Sequence, residues 1–279
     1  MSIDMHCHTK VSDGSVSVDE LIFIARRMGI NSLAITDHDT FAGAKRALVL
    51  GERYGLNIIL GAELSSFSKK FGKELHILCY MCDYPDRLEG ICSKNTKARK
   101  KFNLGVINQI SKYYPISLGM VSNKSRGSSN IFKNHIIQAI MDSGCIMPIY
   151  SIVYKKIFDS NIEFKFNPGY CEPEEIINQV HQAGGVAILA HPKESDLEDV
   201  IPELIGLGID GLEIYHPSVS PNYSENLLKI AQKYELLTTG GSDFHGMYSF
   251  ASRCLNSFGT SETEIKKMIS KKLKLKRSI

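Results

Sequence analysis

The sequence predicts an α/β barrel with a helical insertion. Seven short runs rich in β-branched residues alternate with amphipathic stretches of helical length, the pattern of parallel strands joined by crossover helices. The chain has 279 residues, 43% of them hydrophobic, which is enough for one large core. The alternation is interrupted once, between residues 87 and 167. We therefore expect the barrel to comprise residues 1–86 and 168–279, with a helical insertion domain at 87–167.

The individual elements follow from local signals. In SVDELIFIARRMGI, Ser17 and Glu20 predict a capping box and Gly29 predicts the end of a helix. The same order of a strand and a capped helix recurs at EPEEIINQVHQAGG and at NYSENLLKIAQKYE. The interrupted interval shows several helices and a Ser-, Gly- and Asn-rich turn, SNKSRGSSN, and it is too long for a simple crossover. The predicted strands are 2–5, 32–36, 57–62, 75–79, 186–190, 211–215 and 236–240.

Charge and hydropathy exclude several classes of protein. A net charge of +3 with 23% charged residues is not typical of a disordered chain or of a general polyanion binder. No apolar run reaches the roughly 20 residues of a membrane helix, and no signal peptide is apparent, so we predict a cytoplasmic protein without a membrane partner. The basic excess is local, and we interpret it as the solvated face of a terminal helix, with an RNA-contacting arm as the alternative. It consists of Lys266, Lys267, Lys271, Lys272, Lys274, Lys276 and Arg277.

The seven cysteines are scattered and odd in number, which favours reduced thiols over a disulfide framework. Cys79 and Cys82 form a C-x-x-C, but no second pair accompanies them. We interpret them as structural thiols, with redox or metal use as the alternative.

Six of the nine histidines lie on or just beyond the ends of predicted strands. In a parallel barrel those ends share the face on which active sites are built. Each histidine could separately cap a turn or fill a polar core position, but six such coincidences beside three carboxylates favour one shared site. The candidate ligands are His6, His8, Asp13, His38, Glu63, His76, His191, Asp243 and His245.

Imidazoles and carboxylates without thiolates suit Zn, Mn or Fe in a site with open positions. Nine ligands are too many for one ion, so we expect two or three divalent ions, with a carboxylate such as that of Glu63 bridging two of them. Adjacent ions can share a hydroxide and hold the oxygens of a phosphoryl group.

The motifs HCHTKVSDG, ITDHDT, GAE, LHIL, AHP, GLEIYHP and GGSDFHG occur in one order along the chain. Together they resemble the PHP (polymerase and histidinol phosphatase) family of metal-dependent phosphoesterases. The resemblance covers essentially the whole chain and implies a distorted seven-stranded (β/α) TIM-like barrel with three metal ions. It assigns His6, His8, Glu63 and Asp243 to one ion, Glu63, His76 and His191 to a second, and Asp13, His38 and His245 to a third.

The resemblance also implies a nucleophilic hydroxide between the first two ions, and a role for Asp37 in orienting His38 or its neighbours. The catalytic residues expected from it are Asp37, Glu63, His191 and Asp243.

The insertion resembles that of one branch of the family, which contains nucleoside 3′,5′-bisphosphate phosphatases and 5′-to-3′ exoribonucleases. The likeness rests on NHIIQAIMDSG, on an aromatic and lysine stretch at 154–158, and on GGVAILAHP. That branch usually shows Arg-Pro-His where this chain has Lys133, Asn134 and His135. The cation and the histidine are kept, but the bidentate guanidinium is lost. Phosphate binding by Lys133 and His135 is one interpretation, and a solvated helix surface is the other.

Two further residues are candidate substrate contacts. Lys193 follows AHP, and it either meets a substrate phosphate or is a solvated lysine. His216 ends the sixth strand. One interpretation is a role as a substrate contact or general acid, and the other is a histidine that caps a turn. The roles of Glu213 and Tyr215 are equally open, whereas His181 is predicted to be an ordinary surface residue.

These observations predict a hydrolase that removes phosphate from a small nucleotide or shortens RNA from its 5′ end, with inorganic phosphate as product and no obligate protein partner. Histidinol phosphatase is an alternative with the same metal core, although the long insertion disfavours it. An amidohydrolase is a weaker alternative. A regulatory module without activity should have lost ligands, and none is missing here.

Overall fold

The computed structural model describes residues 2–144, 155, 157, 169–248 and 254–278. Its seven strands form one sheet in chain order, and Met5 N donates to Gly240 O at 3.3 Å where the last strand meets the first. The sheet is therefore a nearly closed barrel, and the predicted fold class is confirmed. The strands are β1 (Ile3–Asp4), β2 (Ser32–Ile35), β3 (Asn57–Ser68), β4 (Lys73–Tyr80), β5 (Val186–Leu189), β6 (Gly211–Tyr215) and β7 (Leu237–Gly240).

The prediction that all strands are parallel is wrong for β4. This strand runs antiparallel to both β3 and β5, and His76 lies opposite Ser65. Only residues 69–72 separate β3 from β4, so a tight hairpin replaces the expected crossover helix. The predicted third strand, 57–62, was too short because β3 continues along the hairpin to Ser68.

The reversal of β4 decides where His76 lies. We call the rim at the C-terminal ends of the parallel strands the upper rim, and the opposite one the lower rim. His76 is near the start of its strand, so a parallel β4 would carry it to the lower rim. The antiparallel β4 brings it to the upper rim, where its Nδ1 lies 2.7 Å from Glu63 Oε1.

The helices begin and end largely where the local signals place them. Ser17 Oγ accepts from Glu20 N and Ser17 N donates to Glu20 Oε2, and Gly29 follows the helix with φ +71°, so this cap and stop are confirmed. The helices are α1 (Val18–Arg27), α2 (Ala42–Tyr54), α3 (Glu89–Ile110), α4 (Leu118–Lys124), α5 (Lys133–Asp142), α6 (Pro173–Gln182), α7 (Val200–Gly206), α8 (Pro221–Lys233) and α9 (Glu262–Ser278).

The described part of the predicted insertion consists of α3, α4 and α5. They enclose an apolar cluster of their own, which includes Ile107, Val121 and Ile137. The stretch 154–158 lies outside the described residues apart from Lys155 and Ile157. The boundaries of the insertion domain stay a prediction.

The basic terminal helix is attached to the lower rim. Met268 is fully buried, and Lys272 and Lys276 lie 2.7 and 2.9 Å from the carboxylate of Asp83. The side chain of Lys272 is largely covered by this contact, so the expectation of a solvated basic face is wrong for that residue, whereas Lys276 stays exposed and agrees with the expectation. Among the described residues, none of the helices is both long enough and apolar enough to cross a membrane.

Candidate metal centre

Glu63 lies at the centre of the upper rim. Its carboxylate is fully buried, and in the described part of the chain its oxygens contact imidazoles alone. One oxygen faces two rings and the other faces three. Oε1 lies 2.7 Å from His76 Nδ1 and 3.0 Å from His191 Nε2, and Oε2 lies 3.3 Å from His6 Nε2, 3.2 Å from His8 Nε2 and 3.3 Å from His38 Nδ1.

Asp13 and Asp243 complete the cluster on either side of His8 and His245. Asp243 Oδ1 is 3.3 Å from His8 Nε2 and 3.4 Å from His245 Nδ1. Asp13 Oδ2 is 3.3 Å from His245 Nε2, and it is 3.6 Å from His38 Nε2. The structure thus brings together all nine residues predicted as ligands, from both ends of the chain.

The spacing of these atoms fits metal ions. His6 Nε2 and His8 Nε2 are 3.1 Å apart. Two nitrogens on one tetrahedral ion, with bonds of about 2.0–2.1 Å, lie about 3.3 Å apart. The Nδ1 atoms of His8, His38 and His76 are buried and lack a partner in hydrogen-bond geometry among the described residues. Buried nitrogens without partners are costly unless something else binds them, and divalent cations would do so.

The charges of the cluster also favour cations. Burial raises the pKa of the Glu63 carboxyl, but the imidazoles of His38, His76 and His6 outweigh it and hold that pKa well below its usual range. Burial lowers the pKa of His8, but the hydrogen bonds that it donates to Asp243 and Glu63 prevail and raise it to about 10. The Glu63 carboxylate is therefore ionised and needs positive charge beside it, which protons on the imidazoles or metal ions can provide.

Asp37 holds the loop that carries Asp13. It accepts from Thr9 N at 2.8 Å, from Thr9 Oγ1 at 2.7 Å and from Ser12 Oγ at 2.6 Å. Gly14 closes this loop, since a Cβ there would lie 2.5 Å from the carbonyl oxygen of His8. The hydrogen bonds of Asp37 thus reach the loop between His8 and Asp13, and its expected catalytic part is one of positioning.

Glu213 supports two of the histidines. Its Oε1 lies 2.9 Å from His6 Nδ1, and its Oε2 accepts from His191 N at 2.9 Å. A proton on His6 Nδ1 leaves the Nε2 lone pair directed at the cluster. His191 and Asp243 have φ of +29° and +51°, a strained conformation that costs of order 1–3 kcal/mol and is concentrated at functional sites. Glu213, whose role the sequence left open, fixes the first of these backbones.

His216 lies at the same cluster. Its Nε2 is 3.4 Å from Asp243 Oδ2, and its Nδ1 accepts from Ser218 N at 3.0 Å. With His6 and Asp243 it forms a group whose ligand atoms all lie within 4.8 Å of one another. The sequence offered turn capping and a site role as alternatives. The bond from Ser218 N shows the turn contact, and the role of His216 at the site stays a prediction.

The insertion directly contacts the loop between His8 and Asp13, which we call the metal loop. Asn134 Nδ2 donates to Asp13 O at 2.7 Å, Ser128 Oγ donates to Ser12 O at 2.5 Å, and Ser129 N donates to Val11 O at 2.8 Å. Three successive carbonyls of the loop are bound in this way. The departure of this chain from Arg-Pro-His therefore adds a hydrogen bond at Asn134, because a proline in that position has no side-chain donor.

Of the other predicted substrate contacts, Lys133 and Lys193 line the cavity above the cluster. His135 does not line it. Its Nδ1 accepts from Phe132 N at 3.0 Å at the start of α5, and burial lowers its pKa to about 4. Its position is that of a helix cap, and its predicted part in phosphate binding stays a prediction.

Arg99 was missed in the sequence, where KARKKF resembles the solvated face of a helix. The fold places its guanidinium between the rings of Phe132 and Tyr170, 4.8 and 5.1 Å from their centroids. Its Nη2 donates to Asp39 Oδ2 at 2.9 Å and to Ser65 Oγ. Its Nε is buried without a partner among the described residues, so the cation retains a donor at the cavity wall.

One cavity of about 510 Å³ joins these features, within the usual range of ligand pockets. The candidate ligands form its floor, and Arg99, Lys133 and Lys193 contribute positive charge to its walls. Aromatic rings complete the lining, namely those of Phe102, Phe132, Tyr170, Tyr223 and Tyr248.

Comparisons with known proteins agree with this architecture. Residues 4–142 match the PHP domain family. A phosphoribosyl 1,2-cyclic phosphate 1,2-diphosphodiesterase from Eggerthella lenta is 29% identical over 247 residues, which are 88% of this chain and 94% of the relative. The 5′-3′ exoribonuclease Rnm of Escherichia coli is 28% identical over 251 residues, 87% of this chain and 84% of the relative. A 3′,5′-nucleoside bisphosphate phosphatase from Chromobacterium violaceum is 25% identical over 260 residues, 88% and 87% of the two chains.

A solved structure shows the same fold over nearly the whole length. A chain from Bifidobacterium adolescentis, assigned as a metal-dependent phosphoesterase, aligns with a TM-score of 0.85 and 28% identity, covering 96% of this chain and 95% of that one. The resemblance drawn from the motifs is confirmed. The chain belongs to the PHP family of metal-dependent phosphoesterases.

Proposed function

We propose that this chain hydrolyses phosphate esters of small nucleotides, such as nucleoside 3′,5′-bisphosphates, or of short 5′-phosphorylated RNA. The observation that carries the proposal is a single cavity with five imidazoles around Glu63 on its floor and a partly unpartnered Arg99 between aromatic rings on its wall. The names of the relatives support the same substrate class, since they act on phosphoribosyl cyclic phosphate, RNA and nucleoside bisphosphates.

The ions in this proposal are two or three of Mn, Zn or Fe. When bound, they would provide an activated water and neutralise the charge of a phosphoryl group. One geometric group, His8, Asp13, His38 and His245, contains the third ligand set implied by the motifs. Another group, His6, His8 and Glu63, belongs to the first set, and His38, Glu63 and His76 lie close enough to share an ion as well.

The other residues of the cavity would bind and orient the substrate. Arg99, Lys133 and Lys193 balance the charge of phosphate groups that do not reach the ions. Aromatic rings such as that of Phe102 provide surfaces on which a nucleobase can stack. A neutral His216, with Ser218 N donating to its Nδ1, carries its proton on Nε2, the atom that faces the cluster. From there it can protonate the leaving oxygen.

The proposal is tested with purified protein reconstituted with Mn²⁺. Phosphate release is measured from adenosine 3′,5′-bisphosphate, short 5′-phosphorylated RNA and histidinol phosphate, with a chelated sample as control. We expect turnover of the nucleotides, lost on chelation. Arg99→Lys keeps the charge but loses the planar fork, and it should raise the KM for nucleotides while the ion content is unchanged. Silence across all nucleotides, or a preference for histidinol phosphate, contradicts the proposal.

We also propose that the protein works in the cytoplasm on a diffusing substrate and releases inorganic phosphate. Support comes from the cysteines of the described residues, none of which forms a disulfide, with four of them buried. Free thiols are typical of a reducing compartment.

A further inference from the structure

Asp39 follows the candidate ligand His38 in the motif ITDHDT, but its carboxylate contacts none of the candidate ligands among the described residues. The residue is buried, and its φ of +53° lies in the left-handed region, which is uncommon for residues other than glycine. Such a backbone persists where the surrounding contacts enforce it. The contacts of Asp39 therefore indicate what this residue does.

On the side of the barrel, Asp39 is bonded to the main chain of β3. Asp39 N donates to Glu63 O at 2.9 Å, and Asp39 Oδ1 accepts from Ser65 N at 3.0 Å. The preceding residue, His38, forms a parallel bridge with Glu63. The loop after β2 is thus fastened to β3 beside Glu63, the residue at the centre of the cluster. The position of Asp39 relative to the candidate ligands is fixed by these short links.

On the side of the insertion, the same carboxylate binds α3. Oδ2 of Asp39 accepts from Arg99 Nη2 at 2.9 Å, and Oδ1 accepts from Asn95 Nδ2 at 2.9 Å. The side chains of Arg99 and Asp39 are 11% and 2% exposed, so solvent screens this ion pair little. One buried carboxylate therefore joins the insertion to the strand that carries Glu63.

These contacts fix the orientation of the Arg99 guanidinium. A guanidinium between two rings, here those of Phe132 and Tyr170, can still rotate in its own plane. The directional hydrogen bonds from Nη2 to Asp39 and Ser65 prevent that rotation. Nε is buried and has no hydrogen-bond partner among the described residues. An anion in the cavity can therefore meet Arg99 only along the part of its edge that Asp39 leaves open.

We propose that Asp39 is a positioning residue that sets the distance between Arg99 and the ion cluster, and thereby selects substrates with a second anionic group. A substrate with one phosphate at the ions and another at Arg99 must span that distance, and a rigid joint fixes it. Without the charge of Asp39, Glu74 on the wall of the same cavity would attract the guanidinium instead. This inference rests on the proposed phosphoesterase function and names the residue that sets its selectivity.

Asp39→Asn tests the proposal. An amide has nearly the same shape and suits the left-handed backbone, but it removes the charge that binds Arg99. Phosphate release by the Mn²⁺-loaded protein is measured for adenosine 3′,5′-bisphosphate and for the adenosine 3′- and 5′-monophosphates, which lack the second phosphate. Asp210→Asn is the matched control, because it makes the same change at a buried carboxylate of the lower rim. Ion content and Tm are checked for each variant.

We expect the wild type to have a KM for the bisphosphate at least about tenfold below that for either monophosphate, the size typical of one hydrogen bond to a charged group. Asp39→Asn should raise the KM for the bisphosphate to the level of the monophosphates. The values of kcat and the KM values for the monophosphates should be unchanged. Asp210→Asn should change none of these constants.

A double variant separates positioning from a general loss of structure. If Asp39 acts through Arg99, Asp39→Asn should add little to the effect of Arg99→Lys on the KM for the bisphosphate, because both changes remove one interaction. If Asp39→Asn does not fold, Ser65→Ala takes its place, since it removes the other acceptor of Arg99 Nη2 and leaves no buried charge unpaired.

Four results overturn the inference: no preference of the wild type for the bisphosphate, equal increases in KM for all three nucleotides, additive effects of the two changes, or an unchanged KM for the bisphosphate.

If the wild type releases phosphate from none of the three nucleotides, the phosphoesterase proposal fails. Calorimetry with the same nucleotides on the Mn²⁺-loaded protein then decides about Asp39. Tighter binding of the bisphosphate that is lost in Asp39→Asn and kept in Asp210→Asn supports the positioning role. Equal binding of all three nucleotides, or no binding, overturns it.

Discussion

The two rims of the barrel both combine carboxylates with histidine or lysine, yet their contacts differ in kind. At the lower rim, Asp210 accepts from Ala187 N at 2.9 Å and from His181 Nε2 at 2.8 Å, and Lys271 lies 3.5 Å from its other oxygen. Every contact pairs a donor with an acceptor. At the upper rim, the oxygens of Glu63 face five imidazoles, while nitrogens of neighbouring rings face one another and several lack hydrogen-bond partners within the described part of the chain.

This difference shows how a binding site is distinguished from a structural ion pair. Residue type is not sufficient, because the half-buried His181 and the buried Asp210 are paired at 2.8 Å, as closely as many ligands. The pairing of His181 with Asp210 also shows that the prediction of His181 as an ordinary surface residue is wrong. The informative feature is a surplus of ligand atoms that cannot all satisfy each other, because such a surplus is stable only when something with positive charge joins it.

The largest expected effect is at the centre of the upper rim. Glu63→Gln keeps the shape but removes the charge that five imidazoles share. We expect kcat to fall by at least about 10²-fold, the loss typical for removing a group that positions charge in the transition state. The ion content should fall by one or more per chain, measured by elemental analysis. Full ion content with full activity would show that the Glu63 carboxylate neither holds the ions nor takes part in the reaction.

The matched change at the lower rim should act on stability instead. Asp210→Asn removes the buried charge that Lys271 and His181 share. We expect a loss of about 2 kcal/mol in the free energy of unfolding, measured by urea denaturation, which is typical of losing hydrogen bonds to a charged group. Activity per folded molecule and ion content should stay at the wild-type level. A lowered ion content in this variant would contradict the distinction between the rims.

A smaller effect is expected where the insertion meets the metal loop. Asn134→Ala removes the hydrogen bond to Asp13 O, worth about 1 kcal/mol, and should weaken the binding of one ion about fivefold in a chelator competition. Asn130→Ala is the control, since Asn130 Nδ2 donates to Thr96 O at 2.8 Å, away from the metal loop. Equal weakening of ion binding in both variants would mean that the hydrogen bond to Asp13 O does not specifically support the ion site.

The smallest effect concerns the attachment of α9. Hydrogen bonds from Lys272 and Lys276 lower the pKa of Asp83 below its ordinary value of 3.8. Because the pKa of Asp83 is lower in the folded than in the unfolded protein, the ion pair stabilises the fold at pH values above the unfolded-state pKa. This stabilisation is lost as the pH falls through the folded-state pKa. Asp83→Asn should therefore cost less than about 1 kcal/mol at pH 7, measured by thermal unfolding. The difference from the wild type should vanish below the folded pKa, and a difference independent of pH would contradict the ion pair.

Much of the fold was predictable because its signals are local. The capping box at Ser17, the stop at Gly29 and the seven apolar runs each depend on a few neighbouring residues. The orientation of β4 was not predictable in this way. It depends on the four-residue link to β3 and on pairing with β5, which follows more than a hundred positions later, and local periodicity carries no information about direction.

The candidate site shows the same division. Its candidate ligands were recognised because histidines after strand ends are conspicuous in a barrel. Arg99 was not found, because a basic run in a helix is usually solvated and only packing placed it between Phe132 and Tyr170. Asn134 looked like a departure from a phosphate-binding motif, and its contact with Asp13 was visible only once the insertion was packed on the loop.

The sequence by itself determined the class of fold, the family and the set of side chains suited to bind metal, because residue types and their order along the chain carry that information. The tertiary structure alone decided that β4 is reversed so that His76 reaches Glu63, that Arg99 faces the cavity, and that the lysines of α9 hold a helix. The physical reason is that these outcomes depend on which distant segments exclude water from each other, and that is a property of the packed chain.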